Sequence, residues 1–233
     1  VKEINYPNNL LSFNKDIKVL LDANIFLHDL YSSDKVGIIC SKLLKELSDS
    51  STQIYISNVI ISEVLNKIIK AEFESDMYYK LDKIVPINST KIIDKIVSVL
   101  NSSHGFNIKL EDKDIMDKIN LAQCFNILNK NKMNRYLLKP YFDITINIYN
   151  NFKKKLGLEY LMVSEDIYNK SLNNFQIQMM NINDAQHLQV ALDNKMDYII
   201  TTDKDFSFVA EVYETKILKI DKNSEDIDYV AIN

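Results

Sequence analysis

What most constrains this chain is where its strand-like segments lie. Short apolar runs suited to buried parallel strands occur at Ile17 to Leu21, Ile54 to Ile56, Tyr160 to Val163, Tyr198 to Thr202 and Lys216 to Ile220. Between them the apolar spacing is helical: Ile39, Leu43, Leu44 and Leu47; then Val59, Ile60, Val64, Ile68 and Ile69; later Ala185, Leu188, Ala191 and Leu192. Ser164 reads as the N-cap of another helix, whose first turn holds Glu165 and Asp166, the charge sign that the helix dipole favours. From Ile69 to Glu159 strand signals vanish and helical periods dominate, as in Ile92, Ile96, Val99 and Leu100, or Ile115, Ile119, Ala122 and Phe125. Strands that alternate with helices call for a parallel sheet covered on both faces. The expectation is a Rossmann-like three-layer α/β fold: residues 1–70 and 160–233 form a central parallel sheet of four to five strands, and 71–159 are a helical insertion. The acidic residues from Asp221 onward are expected to be loose.

Composition narrows the class. With 46% hydrophobic residues and only 3 Gly and 3 Pro, the chain is neither disordered nor collagenous. No uncharged apolar run reaches membrane-spanning length, and residues 1–6 lack a signal-like apolar core, so a cytoplasmic protein without membrane attachment is expected. Cys40 and Cys124 are too few and too far apart for a disulfide scaffold or a metal knuckle, and read as buried thiols. A net charge of −4 means that the chain as a whole does not attract polyanions, so any nucleic-acid binding must be local.

Four acids occupy equivalent places. Asp22 follows the first strand, Glu63 lies in the opening turns of the helix after the second, Asp184 opens a helix, and Asp203 follows the fourth strand. In a parallel sheet the strand carboxyl ends and helix amino ends share one edge, where ligands of open α/β sheets bind. Carboxylates gathered there repel one another unless a cation intervenes, and a hard divalent ion prefers oxygen ligands. Polar neighbours accompany them: Asn24, Ser57, Asn58, Thr201 and Thr202. Each acid taken alone could be a turn former, a helix cap or a solvated charge; the repetition at every junction is what a shared site explains.

The segments Lys18–Phe26 (KVLLDANIF), Ile56–Leu65 (ISNVIISEVL), Asn183–Ala191 (NDAQHLQVA) and Tyr198–Phe206 (YIITTDKDF) resemble those of PIN-domain nucleases, VapC-type toxins among them. The resemblance covers the two ends of the chain. It implies a PIN-like fold in which Asp22, Glu63, Asp184 and Asp203 are catalytic acids that bind one or two Mg²⁺ or Mn²⁺ ions. Asp205 would be an auxiliary ligand, and Asn24 and Thr201 would hydrogen-bond the ligands. It further implies RNA as substrate, with an antitoxin or other protein partner, or a second copy of the chain, as companion. The long helical insertion departs from the compact members of that family.

The chemistry expected is metal-assisted hydrolysis of a phosphodiester. Neither a G-x-S-x-G nor a Walker-A segment occurs, so no serine nucleophile or glycine-rich phosphate loop competes with it. Two other readings stay open: a structure-specific DNA nuclease, and a non-catalytic RNA- or protein-binding module. A dehalogenase-like phosphatase would need a second aspartate where Asn24 stands. His187, one turn after Asp184, could face the metal edge or simply pack. From Asn126 to Leu158 there are seven basic residues (Lys130, Lys132, Arg135, Lys139, Lys153, Lys154 and Lys155) and a single acid, Asp143. The aromatics Tyr136, Tyr141, Phe142, Tyr149 and Phe152 are interleaved with them, a pattern suited to neutralising phosphates and stacking unpaired bases. A helix with aromatics in its core and lysines in solvent would read the same way.

Overall fold

The computed structural model describes residues 2–6, 13–81, 90–105, 107, 120–203, 206, 216–220 and 227–232. Its sheet grows outward from the two most apolar runs, β2 (Lys18–Leu21) and β5 (Tyr198–Thr201). Val19, Leu20 and Leu21 are wholly buried, and so is every residue of β5. Successive strand side chains point to opposite faces, so a strand buried throughout must be covered on both. Burying each such aliphatic side chain contributes about 1.5–3 kcal/mol.

The remaining described strands are β1 (Lys2–Tyr6), β3 (Gln53–Ser57), β4 (Glu159–Leu161), β6 (Lys216–Ile220) and β7 (Ile227–Ile232). They pair in the order β1–β7–β6–β5–β2–β3–β4. The five from β6 to β4 are mutually parallel, with Leu20 opposite both Tyr55 and Ile199, while β7 and β1 add antiparallel edges. From β2 the chain winds to β3 and β4 on one side, then returns to place β5 and β6 on the other. The direction reverses between β2 and β5, and a crevice for ligand forms at such a switch point.

Two ends differ from expectation. Part of the C-terminal stretch expected to be loose is a strand: Ile227 to Ile232 forms β7 and pairs with β6, while 221–226 lie outside the described residues. The sheet also gains β1 at its edge. β4 closes early because the Val163 N–H donates to Asn58 Oδ1 (2.8 Å) and leaves the ladder.

Eight α-helices are described: α1 (Ala23–Tyr31), α2 (Lys35–Asp49), α3 (Asn58–Leu81), α4 (Thr90–His104), α5 (Leu121–Lys130), α6 (Lys139–Leu156), α7 (Glu165–Gln178) and α8 (Ile182–Asp193). Ser164 caps α7 as expected, accepting from the Ile167 N–H, and Asp34 caps α2 by accepting from the Gly37 N–H. α7 is tied to α8 by a buried Asn174–Gln189 hydrogen bond (2.9 Å) and by Lys170, which pairs with Asp166 and Asp193.

The chain divides into two compact units, Val1–Val64 with Asn150–Asn233, and Leu65–Tyr149. The first contains the sheet. The described part of the second is helical and has its own core, in which Phe73 meets Phe125 and Tyr141 edge-on (5.5 and 5.4 Å). The buried Tyr141 hydroxyl donates to Asp76 (2.5 Å). Cys40 and Cys124 are both buried free thiols. No helix among the described residues is long and apolar enough to cross a membrane.

Candidate active site

Asp22 stands at the carboxyl end of β2, where its backbone N–H donates to Ile200 of β5 (3.0 Å) and so fixes it at the switch point. Its carboxylate Oδ2 accepts from the Thr201 hydroxyl (2.6 Å) and from Asn24 Nδ2 (3.3 Å). The same Thr201 oxygen accepts from the Asp203 N–H (2.9 Å). One hydroxyl on β5 therefore orients the first acid and places the backbone of the fourth. Both polar helpers expected from sequence, Asn24 and Thr201, do touch Asp22.

Glu63 follows because α3 begins directly after β3, capped by Ser57, whose hydroxyl accepts from the Ile60 N–H (3.2 Å). The charge of Glu63 reaches both Asp22 and His187. Ser57 and Asn58, by contrast, are structural: one caps α3 and the other holds the loop after β4.

Asp184 is buried in the first turn of α8 and held by Asn181, the N-cap. Asn181 Oδ1 accepts from the Asp184 N–H (3.0 Å), and its amide donates to the Asp184 carboxylate. Asn181 was not among the candidate residues. The signal for it was in the sequence, a cap residue three positions before an acid, as in a capping box.

His187 lies one turn further along α8, 1% exposed, with Nδ1 4.0 Å from Asp184 Oδ1. Neither ring nitrogen has a hydrogen-bond partner. Burial holds its pKa below the ordinary histidine value, against the pull of Asp22 and Glu63, so the ring is neutral near pH 7 and its approach to Asp184 is not an ion pair. Burial likewise pushes the Asp22 carboxyl above the usual aspartate value; His187 and the Thr201 hydrogen bond oppose this, and Glu63 adds to it. The Thr202 hydroxyl, beside Asp203, is also buried without a partner.

The donor set thus consists of hard carboxylate oxygens, with a buried acid that no lysine or arginine among the described residues pairs with, flanked by orphaned polar atoms. That chemistry fits a divalent ion of the Mg²⁺ or Mn²⁺ type. Among the described residues, no three acidic, cysteine or histidine side chains stand close enough to hold one ion between them. Asp205 lies outside the described residues.

The basic residues fall on both units. Lys130, Lys132, Arg135 and Lys139 belong to the helical unit, and all are exposed. Lys153, Lys154 and Lys155 form the last turn of α6 in the sheet unit, with Lys153 over the Tyr160 ring (4.6 Å). Of the interleaved aromatics, Tyr141 and Phe152 are core residues and Tyr149 is half-buried; only Tyr136 and Phe142 are exposed.

The fold is an α/β domain whose parallel strands carry a buried acid, Asp22, at their topological switch point. No family model and no curated protein matches the chain. Among solved structures it is similar to the crystal structure of VapBC2 from Rickettsia felis bound to a DNA fragment from their promoter. The TM-score is 0.41 and the identity 11%, over 81% of this chain and 90% of that one.

Proposed function

We propose that the protein is a metal-dependent endoribonuclease of the PIN type, the toxin of a toxin–antitoxin or defence pair, acting in the cytoplasm, with residues 71–159 as an inserted helical subdomain. The observation that carries this reading is Asp22: a buried acid at the switch point, within the field of Glu63, bonded through Thr201 to the strand end that bears Asp203, and without a lysine or arginine ion pair among the described residues.

Asp22, Glu63, Asp184 and Asp203, with Asp205, would hold one or two Mg²⁺ or Mn²⁺ ions. Such ions supply an activated water at neutral pH and charge stabilisation for the phosphoryl oxygens and the leaving oxygen. The chain's own residues do the positioning. Thr201 and Asn24 leave the Asp22 carboxylate a single favoured orientation, and Asn181 does the same for Asp184. Glu63 and Asp203 are partly exposed, so an entering strand would reach them from solvent. The exposed lysines and Arg135 would neutralise its phosphates. An antitoxin, or a second copy of the chain, would be the protein partner.

The test is cleavage of a pool of cellular RNAs and of matched DNA in Mn²⁺ by wild type and Asp22→Asn, with and without EDTA. RNA cut by wild type alone, and only without chelator, is the expected result. Cleavage that survives both changes would refute the mechanism, and DNA cut in preference to RNA would overturn the substrate.

A further inference from the structure

The turn between α5 and α6 in the helical unit has no part in the acid site, yet it is built to present a surface. Leu137 and Leu138 are buried in the unit's core and anchor a short 3₁₀ helix, Arg135–Leu138. The turn before it is closed by the Arg135 and Asn134 N–H groups donating to the Asn131 carbonyl (2.9 and 3.0 Å), and by the Met133 N–H donating to Asn131 Oδ1 (2.9 Å). The residues between these anchors face solvent: Met133 is 82% exposed and Tyr136 63%. The Arg135 guanidinium lies over the ring of Phe142, 5.7 Å from its centroid, and Phe142 is itself 37% exposed.

Charge and shape at this turn point the same way. Lys130, Lys132, Arg135 and Lys139 are exposed within ten residues, and Asp143, the one acid in the sequence from Asn126 to Leu158, is engaged with Lys139 (2.6 Å). A net-negative chain that concentrates basic groups here offers a polyanion one local docking place. Aromatic rings and a planar guanidinium held out of the core are what unpaired bases stack on, and such stacking tolerates any sequence. A rigid turn also loses little freedom on binding.

We propose that the α5–α6 turn is a binding site for single-stranded nucleic acid, in which Tyr136 and the Arg135–Phe142 pair stack bases while Lys130 and Lys132 contact phosphates. It rests on the nuclease reading only in making that strand the substrate; binding itself needs no turnover.

The experiment is a titration of labelled single-stranded oligouridine and oligoadenine, and of a blunt duplex, with the full-length Asp22→Asn protein in EDTA, read by anisotropy. Single strands should bind in preference to duplex. Tyr136→Ala and Phe142→Ala should each weaken binding by roughly tenfold with helical content unchanged. Lys130→Gln with Lys132→Gln should flatten the log–log salt slope by about 1.4, the value for two phosphate contacts on a single strand. Unchanged affinity in the aromatic variants, or duplex bound as tightly as single strands, would overturn the proposal. So would a polyglutamate peptide bound as well as RNA, which would point to an acidic protein partner instead. Binding without cleavage by wild type would sink the nuclease reading and leave this site standing; cleavage with binding indifferent to these variants would do the reverse.

Discussion

Thr201 is a small residue with two jobs, and they can be separated. Its hydroxyl proton is committed to Asp22 and its lone pair to the Asp203 N–H. Thr201→Val keeps the shape and removes both, leaving a buried carboxylate short of a donor at a cost of about 1–3 kcal/mol. Urea melts should show that loss and RNA cleavage should fall, while Thr201→Ser restores both; a valine variant with full activity would show that Asp22 needs no such orientation. His187 makes the opposite prediction. With both ring nitrogens buried and unpartnered, the imidazole costs stability as it stands, so His187→Leu should hold or raise the urea midpoint. A strongly destabilised leucine variant would mean that the ring has a partner after all. At this scale much was legible. Asp22, Glu63, Asp184 and Asp203 could be placed because strand ends and helix starts fall on one edge, and Asn24 and Thr201 because they neighbour an acid. Side-chain commitments were less legible: the spacing of Asn181 to Asp184 signals a cap, but nothing in one dimension shows that Asn58 reaches the loop after β4.

Elements are set by their ends as much as by their apolar faces. α2 begins one short turn after α1, and Gly37 sits where the two meet. A Cβ there would lie 1.8 Å from the Ser32 carbonyl oxygen and 2.9 Å from that of His28. Alanine would ordinarily gain a helix about 1 kcal/mol over glycine. Here the clash is with backbone, and Gly37→Ala should lower thermal stability instead, a sign readily checked by calorimetry. The strands and helices of the sheet unit were readable because each apolar run had one clear period. β7 was missed because its alternating Ile227, Tyr229 and Ala231 follow a run of acids that reads as solvated. The start of α7 was placed to the residue because Ser164 and its acidic first turn act locally, independent of tertiary context.

For the whole molecule, the separate core of the helical unit gives alkaline pH a specific point of attack. Burial, with the hydrogen bond to Asp76, holds the Tyr141 hydroxyl well above the ordinary tyrosine value of 10.0. A folded-state value above the unfolded one stabilises fully below pH 10 and loses that contribution as pH climbs beyond it. Wild type should therefore soften above pH 10, whereas Tyr141→Phe, weaker by about 1–2 kcal/mol near neutrality, should show less of this dependence. Equal pH profiles would mean that Tyr141 ionises as freely folded as unfolded. The sequence already pointed to helices in residues 71–159, and the described elements there are helical up to β4, which begins at Glu159. It did not show that two of the five aromatics in the basic stretch, Tyr141 and Phe152, belong to the interior, because a helix of mixed lysines and aromatics has the same pattern whether its rings face core or solvent. The central claim is that the acids around Asp22 take a divalent cation. Calorimetric titration of Mn²⁺ into wild type and Asp22→Asn tests it most directly. Saturable binding by wild type, weakened at least tenfold by the substitution, is the predicted result; identical heats for the two proteins, or none for wild type, would contradict it.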